Sequence, residues 1–172
     1  MADYTTIDDS SAQFQVDLYT GTGSSLANTF DGNSAMQPDF VWIKERNGAA
    51  DHSLWDSTRG VQKMLESNTD TAESTESTGL TAFGSDGFTV GALAQANTSS
   101  DTYVAWGWKA NGSTTSTCTD GDIDSTVQVN ATAGFSIVTW TATDTTARSI
   151  GHGLGVQPQV VIIRNRTRIE NW

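Results

Sequence analysis

Gln37-Pro38-Asp39-Phe40-Val41-Trp42-Ile43-Lys44-Glu45-Arg46 returns 120 positions later as Gln157-Pro158-Gln159-Val160-Val161-Ile162-Ile163-Arg164-Asn165-Arg166. In an extended chain, Phe40 and Trp42 fall on one side and Val41 and Ile43 on the other, because successive side chains alternate. Both sides begin apolar, which marks a central strand covered by two layers. Pro38 and Pro158 stand just before their strands, where a missing N–H removes no ladder bond. Upstream, Phe14-Gln15-Val16-Asp17-Leu18-Tyr19-Thr20 matches Phe135-Ser136-Ile137-Val138-Thr139-Trp140-Thr141 at an offset of 121. One unit therefore runs from about residue 14 to 110 and a second opens near 125.

Strands are expected at Phe14 to Thr20, Phe40 to Arg46, Thr102 to Lys109, Thr126 to Thr132, Phe135 to Thr141 and Val160 to Arg166, all rich in β-branched or aromatic residues. Ser53 to Asp56 and Gly87 to Val90 are weaker candidates, and Val61 to Ser67 is the one helical-looking stretch. Turn-rich segments such as Gly84-Ser85-Asp86-Gly87 separate them. Strands at this spacing predict an all-β chain, an antiparallel β-sandwich of jelly-roll or concanavalin-like type, with a second partial β unit at the C-terminus. Val104, Trp106 and Trp108 share one side of their strand and are expected in the sandwich core. The domain reading is an N-terminal arm at 1–13, a sandwich module at 14–110, a polar linker at 111–124 and the partial module at 125–172.

Composition narrows the function. Ser and Thr make up about a quarter of the 172 residues, and six Trp, six Phe and three Tyr supply the bulk of a core. The net charge is −11, from nine basic and twenty acidic residues. Nucleic-acid binding depends on Lys and Arg neutralising phosphates, so no nucleic-acid partner is expected. An anionic membrane surface is disfavoured for the same reason, and without an apolar run near 18 residues no membrane insertion is expected. The opening Met1-Ala2-Asp3-Tyr4 lacks the basic and apolar regions of a signal peptide, which predicts folding in the cytoplasm.

Chemistry-bearing patterns are few. Asp120-Gly121-Asp122-Ile123-Asp124 opens like a calcium loop, but Ser125 and Ala131 occupy the positions where an EF-hand needs Gly and Glu. His52 and His152 have no ligand-spaced neighbours, and no Gly-x-Ser-x-Gly elbow or phosphate-binding glycine motif is present. The expectation is therefore a non-enzyme without catalytic residues, metal or cofactor. Exposed aromatic rings stack on sugars, and Trp55 in its turn-rich surroundings is the candidate, with His52 and Arg59 beside it, for a glycan or interface contact. The competing reading puts Trp55 in the core. Cys118, the single cysteine, lies among polar residues and is expected to be an exposed or half-exposed thiol of no consequence.

Several motifs fall in order at regular spacing: Gln37 to Lys44, Leu54-Trp55-Asp56-Ser57-Thr58-Arg59-Gly60, Leu65-Glu66-Ser67-Asn68-Thr69, Gly79 to Gly91, Thr102 to Ala110, Gly134 to Trp140 and Gly151 to Pro158. Together they resemble repeated modules of tail-fibre-like virion proteins of bacteriophages, marine phages among them. The resemblance covers Phe14 to Trp172. It implies a lectin-like β-sandwich and a virion structural protein, part of a tail fibre or fibre-like appendage, assembled in the host cytoplasm with other virion subunits. A carbohydrate-binding module contacting a host-surface glycan is the alternative. No catalytic residues come with the resemblance.

Residues 1–13 stand outside the repeat and are expected to form an arm that orders on docking to another subunit. The second unit lacks any counterpart of Ser53 to Ala110, so its strands expose apolar faces. Coverage by neighbouring copies in a homo-oligomer, a trimer by preference, is expected over closure on the first unit or continuation of the chain beyond Trp172.

Overall fold

Alternating apolar and polar residues settle into twelve strands in the computed structural model, which describes residues 7–172. In chain order they are β1 (Phe14–Thr20), β2 (Leu26–Thr29), β3 (Phe40–Glu45), β4 (Ser53–Asp56), β5 (Lys63–Met64), β6 (Ser74–Thr75), β7 (Leu80–Gly84), β8 (Gly87–Val90), β9 (Thr102–Trp108), β10 (Ser116–Cys118), β11 (Ser125–Asn130) and β12 (Phe135–Thr139). One short helix, α1 (Ala94–Asn97), precedes β9. Two antiparallel sheets, ordered β1-β9-β3-β4 and β2-β8-β7, face each other. A third antiparallel sheet, β10-β11-β12, belongs to the second half, and β5-β6 form a small ribbon. The fold is an all-β sandwich.

Alternation decides which residues fill it. Val41 and Ile43 of β3, Trp55 of β4 and Tyr103 and Ala105 of β9 point inward and meet Leu80, Phe88 and Val90 of the facing sheet. Each large apolar side chain so buried contributes about 1.5–3 kcal/mol. Tyr19 stacks on Tyr103 with ring centroids 5.1 Å apart, and their hydroxyls donate to the Ala96 and Ala94 carbonyls, fixing α1 to the sheet. Two glycines are dictated by space. At Gly107 a Cβ would stand 2.6 Å from the Phe30 ring, and at Gly87, with φ +119°, it would stand 2.0 Å from the Asn28 carbonyl oxygen.

The second half docks on the end of the first. Gln128 of β11 is fully buried, and its Nε2 donates to the hydroxyls of Ser57 (2.8 Å) and Thr58 (2.9 Å), just beyond β4. Asn130, at the other end of β11, donates to the side chain of Gln13 and to the Lys109 carbonyl, beside β1 and β9. β11 therefore runs across the strand ends of the larger sheet. Asp39 organises the junction from beneath. Its buried carboxylate accepts from the backbone N–H groups of Ala110 (2.8 Å), Gly112 (2.8 Å) and Ser113 (2.7 Å) and from the Ser57 hydroxyl (2.7 Å).

Several expectations are corrected. Val104, Trp106 and Trp108 lie on the outer face of their sheet and are half-buried, while Tyr103, Ala105 and Gly107 carry β9 into the core. The 111–124 segment includes β10, and its Cys118 is buried, 8% exposed, with Sγ 3.5 Å from an Asp120 carboxylate oxygen. Val61 to Ser67 forms no helix, because Leu65 bonds back to Leu54 in both directions and draws the segment into β structure. Val160 to Arg166 forms no strand. Its contact with residues 71–73 gives one backbone bond, from the Glu73 N–H to the Arg166 carbonyl at 2.9 Å, and a single bond does not make a ladder. Of the expected arm, residues 1–6 lie outside the described residues. Ser10–Ala12 form a 3-10 turn capped by Asp9, whose carboxylate also accepts from the Ser34 hydroxyl at 2.6 Å.

Candidate functional site

The outer face of the four-stranded sheet is built by the same alternation that builds the core. Register places Phe14, Trp108 and Phe40 abreast, then Val16, Trp106, Trp42 and Leu54, then Leu18, Val104 and Lys44. The first row is capped by the second half: the Phe135 ring of β12 lies 6.3 Å from both Trp108 and Phe40. The second and third rows are left open on the β1 side, where Val16 is 42% and Leu18 62% exposed. Trp42 meets Trp106 edge-on at 6.2 Å and donates from Nε1 to His52 Nδ1 at 2.9 Å. Burial, and after it the positive charge of Lys44, holds the His52 imidazole below its ordinary pKa, against an opposing pull from Asp51. His52 is therefore a neutral acceptor for the indole at neutral pH.

The three residues named from sequence are placed separately. Trp55 has no exposed surface and fills the core, so it offers no ring to a sugar. Trp55→Ala would open a cavity at a cost of about 3–5 kcal/mol and would report folding rather than binding. Arg59 is buried as well, pairing with Asp56 through Nε and with Glu73 through Nη1 at 2.9 Å, and donating to the Leu54 carbonyl. Only His52 reaches the outer aromatic face.

A second unpartnered region lies in the second half. Val160, Val161, Ile162 and Ile163 are 58 to 78% exposed in succession. β12 has a neighbour, β11, along one edge only. The chain beyond Ile163 is tied back to the first unit. Arg164 donates to the Thr71 carbonyl, Arg166 grips Glu73 through Nε and Nη2, and the Trp172 indole donates to the Glu66 carbonyl at 2.6 Å. A cleft of about 260 Å³ separates Thr139, Trp140 and Thr141, at the end of β12, from Arg166.

Sequence reasoning missed Asp39, Gln128 and the Glu73–Arg166 contact. Their partners lie far off in sequence, 71 positions for Gln128 and Ser57 and 93 for Arg166 and Glu73, and no local pattern announces such pairs. Among the described residues no three His, Cys, Asp or Glu side chains converge as metal ligands. Asp122 of the calcium-like run instead accepts from the backbone and hydroxyl of Ser149, closing a loop. No helix among the described residues is long and apolar enough to cross a membrane.

An all-β sandwich carrying a docked three-stranded sheet, with an open aromatic face and an uncovered apolar segment, defines the class. The chain belongs to the family described as Domain of unknown function (DUF7483), which matches residues 9–172 and so spans both halves and the Asp9 turn. No curated protein and no solved structure matches it.

Proposed function

We propose that the protein is a phage virion structural subunit, a component of a tail fibre or fibre-like appendage that assembles with further copies and with other virion subunits. The observation that carries this reading is the run Val160 to Ile163, four consecutive large apolar side chains, each more than half exposed. Each would contribute about 1.5–3 kcal/mol on full burial, so a surface that leaves all four open is suited to association. The internal repeat and the motif resemblance to tail-fibre-like modules supply the context, and the acidic, Ser/Thr-rich surface suits a particle exterior. The same segment supports homo-oligomerisation, and the preference for a trimer rests on the resemblance to fibre proteins. The reading assigns the chain no catalytic step. Mass spectrometry of purified particles of the encoding phage is expected to find the protein at many copies per virion, and its absence there contradicts the proposal.

The half-buried Trp42 and Trp106 rings, flanked by Lys44 and His52, favour one further reading, a carbohydrate-binding module that contacts the host surface. A glycan array separates the two. Binding lost in Trp106→Ala supports the module, and an array without signal supports a purely structural role.

A further inference from the structure

The outer face of the four-stranded sheet changes character along β3. Side chains alternate, so Phe40, Trp42, Lys44 and Arg46 share that face, two aromatic rings followed by two cations. Antiparallel pairing persists to Arg46, whose N–H donates to the Thr102 carbonyl at 2.7 Å. Continuing the β3–β4 register by one pair sets His52 abreast of Lys44, whose positive charge acts on the imidazole. Trp42 is held from both sides: its indole donates to His52 and its ring meets Trp106 edge-on.

The two cations are unspent. Among the described residues, ion pairs take Arg59, Arg148, Arg166 and Arg168. Lys44 Nζ donates only to the carbonyls of Glu45 (2.7 Å) and Gly48 (3.3 Å), and the exposed Arg46 side chain makes no hydrogen bond. By the repeat Arg46 corresponds to Arg166, whose guanidinium is taken up by Glu73. The acids of the adjoining loops are engaged elsewhere. Glu45 accepts from the Ala50 N–H, Asp51 from Asn68 and Asp101 from Asn47. The chain carries a net charge of −11, but its repulsion is screened over about 8 Å at physiological salt. A ligand in contact with this corner therefore feels the two cations first.

We propose that this corner binds an acidic saccharide, a sugar ring lying against the half-buried Trp106 and Trp42 and a carboxylate meeting Arg46 and Lys44. An unpaired guanidinium fork matches a carboxylate through two parallel hydrogen bonds, and Lys44 adds a point charge beside it. The indoles offer flat apolar surface to the C–H side of a pyranose. From Trp42 to Arg46 the strand advances about 13 Å, so ring and acid are read on adjacent residues of an oligosaccharide. A neutral sugar has nothing to give the two cations, and the acid therefore sets the specificity.

The inference deepens the carbohydrate-binding reading and rests on it. The full chain is tested on a glycan array carrying uronate- and sialic-acid-bearing members beside their neutral parents. Signal is expected on the acidic members alone. Titration of the strongest of these, followed by the Nε1–H resonances of Trp42 and Trp106, is expected to shift both. Methyl-esterifying its carboxylate, or Arg46→Gln, is expected to weaken binding about tenfold. Arg46 is exposed and unbonded, so the variant keeps the wild-type melting transition, which the same samples check. Equal signal on neutral members overturns the acidic ligand and leaves the carbohydrate-binding reading standing. A silent array removes both. Acidic binding that survives Arg46→Gln combined with Lys44→Gln, or that leaves both indole resonances in place, overturns the assignment to this corner.

Discussion

Arg166 grips Glu73 through two hydrogen bonds of 2.8 Å, across 93 positions of sequence. The same carboxylate takes Nη1 of the buried Arg59, so one acid joins the end of the second unit to the interior of the first. The parallel fork is the geometry in which an arginine holds a carboxylate most firmly.

The pH dependence of that joint is set by Glu73. Burial pushes its carboxyl up, but hydrogen bonds from Arg166 and Arg59, with their charges, outweigh burial and hold it below its ordinary value of 4.5. A depressed carboxylate contributes stability that is fully present above the ordinary value and lost as pH falls through the folded one. Thermal unfolding of the wild type is therefore expected to lose more stability than Glu73→Gln as pH drops from about 5 to 3. At neutral pH the substitution should cost about 1–3 kcal/mol, since Arg59 keeps Asp56 as a partner. Parallel pH profiles for the two proteins would contradict this.

His52 titrates with the opposite chemistry. Its folded pKa is lowered from 6.5, so the unfolded chain takes up the proton first and stability falls as pH drops through the ordinary value toward the folded one. Protonation also removes the Nδ1 lone pair that accepts the Trp42 indole. His52→Phe is expected to cost about 1 kcal/mol at pH 7.5 and to flatten the stability profile between about pH 7 and 5. Denaturant unfolding across that range, followed by tryptophan fluorescence, checks both. An unchanged slope in the variant would contradict the assignment.

Asp39 is the most heavily used acceptor at the junction of the halves, with three backbone donors and one hydroxyl. Asp39→Asn replaces an acceptor oxygen by a donor amide facing other donors. It is expected to cost at least about 3 kcal/mol and to raise hydrogen exchange along β11. A loss below about 1 kcal/mol in chemical denaturation would show that the junction is held elsewhere.

Where a run of β-branched or aromatic residues carried the strand, the sequence was readable, whereas β2, β5, β6 and β7 carry no such run and were not expected. β1, β4 and β8 occupy the expected spans, and β3 and β9 end one residue early, because runs of β-branched and aromatic residues bounded by turn residues mark where a strand lies. The faces themselves were harder. Trp106 and Trp108 have the residue type of a core, yet Tyr103, Ala105 and Gly107 point inward, since the facing sheet brings Phe30 so close to Gly107 that a small residue is required. Val160 to Ile163 carry a strand pattern that needs a neighbour to act on it. For Trp55 the core reading is the one the structure shows, whereas nothing local in sequence reveals that Glu73, fourteen positions on, pairs with Arg59. Of the residues named for a site, His52 alone reaches the aromatic face, and its partner Trp42 was read only as a strand residue.

We propose that this chain associates through Val160 to Ile163. Sedimentation velocity at micromolar concentration tests it most directly. The wild type is expected to sediment as an oligomer, a trimer by preference, that dissociates on dilution, and Val161→Asp with Ile163→Asp to sediment as a folded monomer. A compact wild-type monomer across the whole concentration range would contradict the account.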